Sequence, residues 1–396
     1  MESLFEKARK VIEHIEQAGF EAYIVGGAVR DSLLKRPVHD IDIATSAYPE
    51  EIIKLFPKTF PTGLEHGTVL VRYEQESFEI TTFRKETGYT DFRRPDKVTF
   101  VRTLKEDLAR RDFTINAMAF TKDYKLIDPF GGKNDLTSKI IRTVGSPSER
   151  FQEDGLRMMR AIRFSAQLGF KIEQLTLEAI KEYAPLLQKI AVERLAEEWN
   201  KIIVAPSMRR AFLYLKDTKT FTYLPVFQTT GRAWNIVYEQ EEPFTNIAEM
   251  VSYLHLVDPA ISIANWMKDW KLSNAIKKDA KRLVSLYQSY SKDSLEWIVY
   301  QLPDHLMISF NTLLKRLGDK PERNLFELKQ TLPIQNRKEL AFNGNDLLQL
   351  FPMKNPGAWI EQLLSTVERH VVMRRLENNK KTISEWLKKW DQSEIS

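Results

Sequence analysis

The stretch that decides the reading begins Ala22-Tyr23-Ile24-Val25-Gly26-Gly27-Ala28-Val29-Arg30-Asp31 and resumes at His39-Asp40-Ile41-Asp42-Ile43-Ala44. Four mostly apolar residues running into two glycines predict a buried strand that ends in a turn. Glycines between a strand and a helix let backbone N–H groups approach an anion closely, and the helix N-terminus adds its dipole. Arg30 then falls on the first helical turn, near enough to meet a triphosphate. Residues 40–44 alternate polar and apolar, the period of a half-buried strand. Asp40 and Asp42 therefore share one face while Ile41 and Ile43 enter the core. Two carboxylates this close repel, and a divalent cation relieves the repulsion. Magnesium suits oxygen ligands and keeps positions open for substrate phosphates. Two such ions, roughly 3.5–4 Å apart, suit activation of a hydroxyl and stabilisation of a leaving pyrophosphate. A lone Asp-x-Asp is usually the solvent face of an edge strand, and a lone Gly-Gly is usually a turn. Their joint occurrence in this order is what carries meaning.

Working outward, Leu4, Phe5, Ala8, Val11, Ile12 and Ile15 recur at helical spacing, with Gly19 where a C-terminal cap belongs. Residues 68–73 and 77–83 read as two strands joined by Glu74-Gln75-Glu76. Glu79 on the second is a candidate third carboxylate, although its alternation with Phe78 and Ile80 turns it away from their face. Residues 84–95 are polar and Arg-rich with little periodicity, which predicts a mobile loop. Beyond about residue 146 strand signals fade. Ser146-Pro147 opens a helix, and residues 154–169 predict one amphipathic helix. The expected fold class is α+β: a head with a small mixed β-sheet, then an all-helical remainder.

With 396 residues, more than one domain is expected. The chain is 43% hydrophobic and 29% charged, which fits a globular protein rather than a disordered one. No apolar run is long enough to span a bilayer, and the N-terminus lacks a basic region followed by an apolar stretch. The absence of cysteine excludes disulfides, thiolate zinc sites and cysteine nucleophiles. A cytoplasmic protein without membrane partners, either monomer or homodimer, is the expectation. The net charge of +5 suits a polyanionic partner. His39-Asp40 superficially suggests a metal phosphohydrolase, but the other five histidines lack suitable spacing.

Gly26-Gly27-x-x-Arg30-Asp31 followed by Asp40-x-Asp42 resembles the nucleotidyltransferases of the DNA polymerase beta superfamily. More narrowly, it resembles the class II group of bacterial CCA-adding enzymes and poly(A) polymerases. Further motifs of that group follow in order. Arg110-Arg111-Asp112-Phe113-Thr114-Ile115-Asn116-Ala117-Met118 resembles the ribose-contacting motif. Asp128-Pro129-Phe130-Gly131-Gly132 resembles the hinge motif, although its residues are also ordinary turn chemistry. Glu153-Asp154-Gly155-Leu156-Arg157, continuing through Arg160 and Arg163, resembles the nucleobase-reading motif. Val192-Glu193-Arg194-Leu195 resembles the motif that braces it. The resemblance implies a nucleotidyltransferase head over 1–145, a neck over 146–205, a body over 206–325 and a tail over 326–396 that touches the tRNA elbow. It implies catalytic and metal-binding roles for Asp40 and Asp42. Nucleotide contacts are implied for Gly26, Gly27, Arg30, Arg110, Arg111, Asp112, Asp154, Arg157, Arg160 and Arg163. Mg²⁺, CTP, ATP and tRNA are the implied cofactor, substrates and partner.

Each contact has a physical reading. Asp112 can accept from a ribose hydroxyl, and Arg110 and Arg111 can meet phosphates. On one helix, Asp154 and Arg157 share a face. A carboxylate accepts from an exocyclic amine and a guanidinium donates to ring nitrogens or carbonyl oxygens, so the pair would admit cytosine and adenine. Uracil and guanine would set acceptor against acceptor, at about 1–3 kcal/mol or more. The bland alternative is an i, i+3 surface salt bridge, worth little. Residues 85–94, with Lys85, Glu86, Tyr89, Asp91 and Arg93, resemble the flexible loop that relatives use for the final A. A poly(A) polymerase and a CC- or A-adding relative share these motifs, and a silent RNA-binding protein stands further off. Gly63-Leu64-Glu65-His66-Gly67-Thr68-Val69 resembles the CCA-adding version. Basic residues gather over 268–282 and 369–389, where phosphate contact competes with a plain solvated helix face.

Overall fold

The structure is a computed structural model that describes residues 3–88 and 97–389. The chain divides into two compact units, one comprising residues 1–243 and 269–271, the other 244–268 and 272–396.

The first unit opens with helix α1 (Leu4–Gln17), whose Ser3 hydroxyl accepts from the Glu6 N–H. Its buried stripe of Ala8, Val11, Ile12 and Ile15 follows the predicted spacing, and Gly19 takes φ +91° just past its end. Next come β1 (Ala22–Val25), α2 (Gly27–Leu33), β2 (Asp42–Thr45), α3 (Pro49–Leu55), β3 (Thr59–Gly63), β4 (Thr68–Tyr73) and β5 (Glu76–Thr82). The β4–β5 hairpin turns on Glu74 and Gln75 at φ +46° and +70°. Positive φ at both central residues matches the turn twist that two-residue hairpins favour. After β6 (Arg84–Thr87), β7 (Lys97–Phe100) and α4 (Leu104–Ala109), strands β8 (Ala119–Phe120) and β9 (Leu126–Ile127) complete a seven-stranded sheet of order β3-β4-β5-β2-β1-β8-β9. β2 and β5 run parallel, and the other neighbours run antiparallel. The mixed sheet is as expected.

Three expectations need correcting. Strand β2 starts at Asp42, so Asp40 lies in the connection before it. Residues 84–95 are not all loop: β6 pairs with β7, which puts Lys85 and Glu86 on a strand. Tyr89, Asp91 and Arg93 fall outside the described residues. The expected helix over 154–169 is broken at its start. Helix α5 (Gly132–Ser138) is followed by α6 (Pro147–Glu153), with proline at its first turn, and then by a separate α7 (Leu156–Leu168). Asp154 is extended at φ −139°, ψ 104°, and Gly155 caps α7. From there the chain is helical apart from a short parallel pair, Ile140–Ile141 with Lys171–Ile172. Helices α8 (Gln174–Tyr183) and α9 (Val192–Ile203) follow, and α9 packs on α7.

The second unit is all helical among the described residues, built around Ile247–Val257, Asn274–Tyr290 and Met307–Arg316. Its last helices among the described residues are Ala358–Val372 and Lys380–Lys389. Trp266 in this unit and Trp270 in the first are fully buried, so both tryptophans are core. Among the described residues, no helix is long and apolar enough to cross a membrane.

Candidate active site

A cleft of about 460 Å³ opens in the first unit. The Gly26-Gly27 turn forms one wall. Gly26 takes φ +75°, and a Cβ there would stand 3.0 Å from Arg111 Nη1 and 3.7 Å from Asp42 Oδ2. The positive φ favours glycine, and the guanidinium end of Arg111 would have to give by a few tenths of an ångström to a Cβ there. Helix α2 carries Arg30 into the cleft from this turn. Its Nε and Nη2 donate to Asp31 at 3.0 and 2.8 Å, and its Nη1 donates to Asn116 Oδ1 at 2.7 Å.

The Arg110-Arg111-Asp112 stretch leaves the end of α4. Asp107, 1% exposed on that helix, accepts from Arg110 Nε at 3.1 Å and from Arg111 Nη2 at 3.4 Å. Sequence reasoning missed this carboxylate, which fans the two arginines toward the cleft. Arg111 is half-buried, and its buried Nε has no hydrogen-bond partner among the described residues. Burial lowers its pKa below the arginine value. Asp112 is almost saturated. Its Oδ1 accepts from Phe113 N–H and from Asn116 Nδ2 at 3.0 Å, and its Oδ2 accepts from Arg160 Nε at 2.7 Å. Burial alone would raise the Asp112 carboxyl, but Arg160, Asn116 and Arg157 outweigh it and hold it down at about 2. A ribose hydroxyl approaching Asp112 would therefore have to share or displace the Arg160 contact.

Asp154 and Arg157 both line the cleft, but not as neighbours on one helix. Asp154 Oδ1 accepts from Leu156 N–H at 3.0 Å, while its Oδ2 accepts from Arg194 Nη2 at 2.8 Å. Arg157 is 8% exposed and held from behind by Glu153 Oε2 at 2.6 Å and the Arg110 carbonyl at 3.2 Å. The Arg157 N–H donates to the Asp154 carbonyl at 3.0 Å. Among the described residues, however, no side-chain hydrogen bond or ion pair joins Asp154 to Arg157, so the surface salt-bridge alternative falls and both side chains keep capacity for a ligand. Further along α7, Arg163 is 7% exposed and gives its Nε to the buried Glu198 at 2.5 Å, so it lines the cleft while anchored in the core. The guanidinium carbons of Arg163, Arg30 and Arg160 lie 4.0, 5.0 and 5.5 Å from the centre of the Phe164 ring, a shared cation–π platform.

Seven arginines and three aspartates line this space, an excess of positive charge suited to a polyphosphate. Asp42 lies within it, whereas Asp40, Glu79 and Lys85 are not among its lining residues. Asp42 and Glu79 sit opposite each other on the parallel pair β2 and β5. Burial pushes the Asp42 carboxyl up to about 6, helped by Glu79 and Asp40 and opposed by Arg111. That crowding of carboxylate oxygens is the environment a divalent cation relieves, and the all-oxygen donor set suits magnesium. Among the described residues, no three acidic or imidazole groups are already gathered to hold a metal. Arg194, Asn116, Phe164 and Leu156 line the cleft without having been selected from sequence. Asn116, Leu156 and Arg194 stand within the quoted motifs but had been given no role.

Residues 22–142 match the Poly A polymerase head domain, 169–229 match a probable RNA and SrmB-binding site of polymerase A, and 246–387 match a putative tRNA nucleotidyltransferase domain 2. The CCA-adding enzyme of Oceanobacillus iheyensis is 43% identical over 388 residues, covering 97% of both chains. That of Enterococcus faecalis is 44% identical over 97% of this chain and 96% of its own. Among solved structures, Bacillus stearothermophilus CCA-adding enzyme in complex with CTP superposes with a TM-score of 0.83 at 36% identity, covering 100% of this chain and 99% of that one. With this likeness along its whole length and the motif residues gathered around one cleft, the chain belongs to the family of CCA-adding enzymes.

Proposed function

We infer that the chain adds C, C and A to the 3′ ends of tRNAs, using CTP and ATP and releasing pyrophosphate. The observation that carries this reading is the meeting, in one arginine-lined cleft, of Asp42 with the Asp154–Arg157 pair. Support comes from relatives named as CCA-adding enzymes and from a neighbour solved with CTP. The reaction takes place in the cytoplasm. The head spans 1–145, the neck 146–205, the body 206–325 and the tail 326–396, and the tail meets the tRNA elbow.

In this mechanism Arg30, Arg110 and Arg111 receive the triphosphate at the Gly26-Gly27 wall. Arg160, backed by Asp112, orients the sugar. Asp154, pinned by Arg194, accepts from the exocyclic amine, and Arg157, pinned by Glu153 and the Arg110 carbonyl, donates to the ring. Because both selectors are held by these partners, a base of the wrong polarity meets acceptors and donors that cannot turn away. Such a mismatch costs about 1–3 kcal/mol. Asp40 and Asp42 would hold magnesium, with Glu79 as third carboxylate, and the metal supplies charge stabilisation at the transferred phosphoryl group.

The test is nucleotide choice. Asp154→Ala and Arg157→Ala should each lower the preference for CTP over UTP by about tenfold or more in kcat/KM with tRNA lacking CCA. Unchanged preference with reduced rate would remove these two residues from base selection.

A further inference from the structure

Asn116 belongs to the Arg110–Met118 stretch, yet none of the chemistry above uses it. It is 7% exposed and lines the cleft from a short 3-10 turn, Thr114–Asn116. Its Oδ1 accepts from Arg30 Nη1 at 2.7 Å, and its Nδ2 donates to Asp112 Oδ1 at 3.0 Å. A guanidinium only donates and an ionised carboxylate only accepts, so the orientation of the amide is dictated by its neighbours. Asp112 continues the chain to Arg160 on α7 at 2.7 Å, and Arg30 closes its other end on Asp31. Of the five N–H groups of Arg30, three are thereby used and two remain for a ligand.

We propose that Asn116 is a positioning residue that couples Arg30 on α2 to the Asp112–Arg160 pair, so that an incoming nucleotide meets two guanidinia already set at a fixed spacing. The proposal rests on the reading of this cleft as the nucleotide site. Without the amide, Arg30 and Asp112 would each lose a charged hydrogen bond and turn independently, and both nucleotides would have to order them on binding. Base choice lies outside the chain, because neither Asp154 nor Arg157 bonds to it. The consequence is specific: loss of Asn116 weakens CTP and ATP alike and leaves discrimination unchanged.

The experiment measures equilibrium binding of CTP and of ATP to the full chain, steady-state incorporation into tRNA and thermal unfolding. It compares the wild type, Asn116→Leu, Asn116→Asp and the double variant Asn116→Asp with Asp112→Asn. For Asn116→Leu the expected result is about tenfold weaker binding of both nucleotides, a matching rise in KM with a smaller change in kcat, and an unaltered preference for CTP over UTP. Asn116→Asp keeps the acceptor for Arg30 but sets two carboxylates against each other. Exchanging the amide and the acid removes the carboxylate–carboxylate repulsion, at the cost of setting the amide NH2 at position 112 against the Phe113 N–H or Arg160. The double variant should therefore recover part of the nucleotide affinity lost in Asn116→Asp alone. This comparison carries the test should Asn116→Leu fail to fold. Wild-type affinity in Asn116→Leu, a loss of active fraction at unchanged KM, or no recovery in the double variant would each overturn the proposal. A wild-type protein that binds neither CTP nor ATP would instead overturn the reading of the cleft.

Discussion

Asp42 and Asp112 line the same cleft, and their surroundings push them in opposite directions. Asp42 rises to about 6 because burial and the nearby Glu79 and Asp40 disfavour its charge. Asp112 falls to about 2 because Arg160, Asn116 and Arg157 overcome its burial. A depressed carboxyl stabilises the fold above its unfolded pKa of about 4 and loses that contribution as pH falls toward 2. Asp112→Asn should therefore cost about 2 kcal/mol at pH 7 and flatten the acid limb of a denaturant titration between pH 4 and 2. A raised carboxyl does the reverse: its charged form burdens the folded state increasingly as pH climbs from about 4 to 6. Asp42→Asn should stabilise the metal-free protein at pH 8 by about 1 kcal/mol, discounted for partial exposure, while abolishing turnover. An Asp42→Asn protein that melts below the wild type in a chelator would contradict this. The residues that line the cleft were legible where chemistry is contiguous, as in Gly26-Gly27 and Arg110-Arg111-Asp112, whereas of Asp40-x-Asp42 only Asp42 lines it. Asp107, Asn116 and Phe164 were not legible, because an isolated polar or aromatic side chain acquires its role only from what folds against it.

Elements were readable where one periodicity ran unbroken, as in α1 and the β4–β5 pair. The base-reading stretch misled because spacing of three was taken to mean one helix. The extended backbone of Asp154 interrupts that helix, and its carboxylate is aimed by its Leu156 and Arg194 contacts instead. Helix α9 thus acts through Arg194 on a residue 40 positions earlier. Arg194→Ala should lower discrimination of CTP against UTP several-fold while leaving ATP and CTP equally bound, measured as kcat/KM ratios. Loss of turnover at constant discrimination would contradict that role. Strand β6 was read as part of a loop because it is wholly polar and presents no alternating apolar face. The turn before α5 is structural in the ordinary way: Asp128 accepts from Gly132 N–H at 2.7 Å and from Lys133 N–H at 2.9 Å. A Cβ at Gly132 would lie 2.3 Å from the Thr114 carbonyl oxygen, two residues before Asn116. Gly132→Ala should destabilise by about 3 kcal/mol in chemical denaturation, because backbone must move.

At the scale of the molecule, the division between an α+β portion and a helical remainder was visible in where strand signals end. Its second half was less legible, because helical faces rich in Lys and Trp do not reveal which partner covers them. Trp266 and Trp270 proved to be core, leaving the exposed lysines near them as candidates for phosphate. Lys278 and Lys281 are exposed on the helix Asn274–Tyr290. Reversing both to glutamate should weaken tRNA binding and lower its salt slope by about one to two, with CTP binding unchanged. An unchanged slope would assign these lysines to solvent. The most direct test of the central claim is stepwise extension of tRNA transcripts ending before CCA, after C and after CC, with magnesium and single nucleotides. The account predicts two C, then one A, then a stop, with Asp40→Ala and Asp42→Ala both silent. Continued A addition, arrest after CC, or activity surviving in either variant would contradict it.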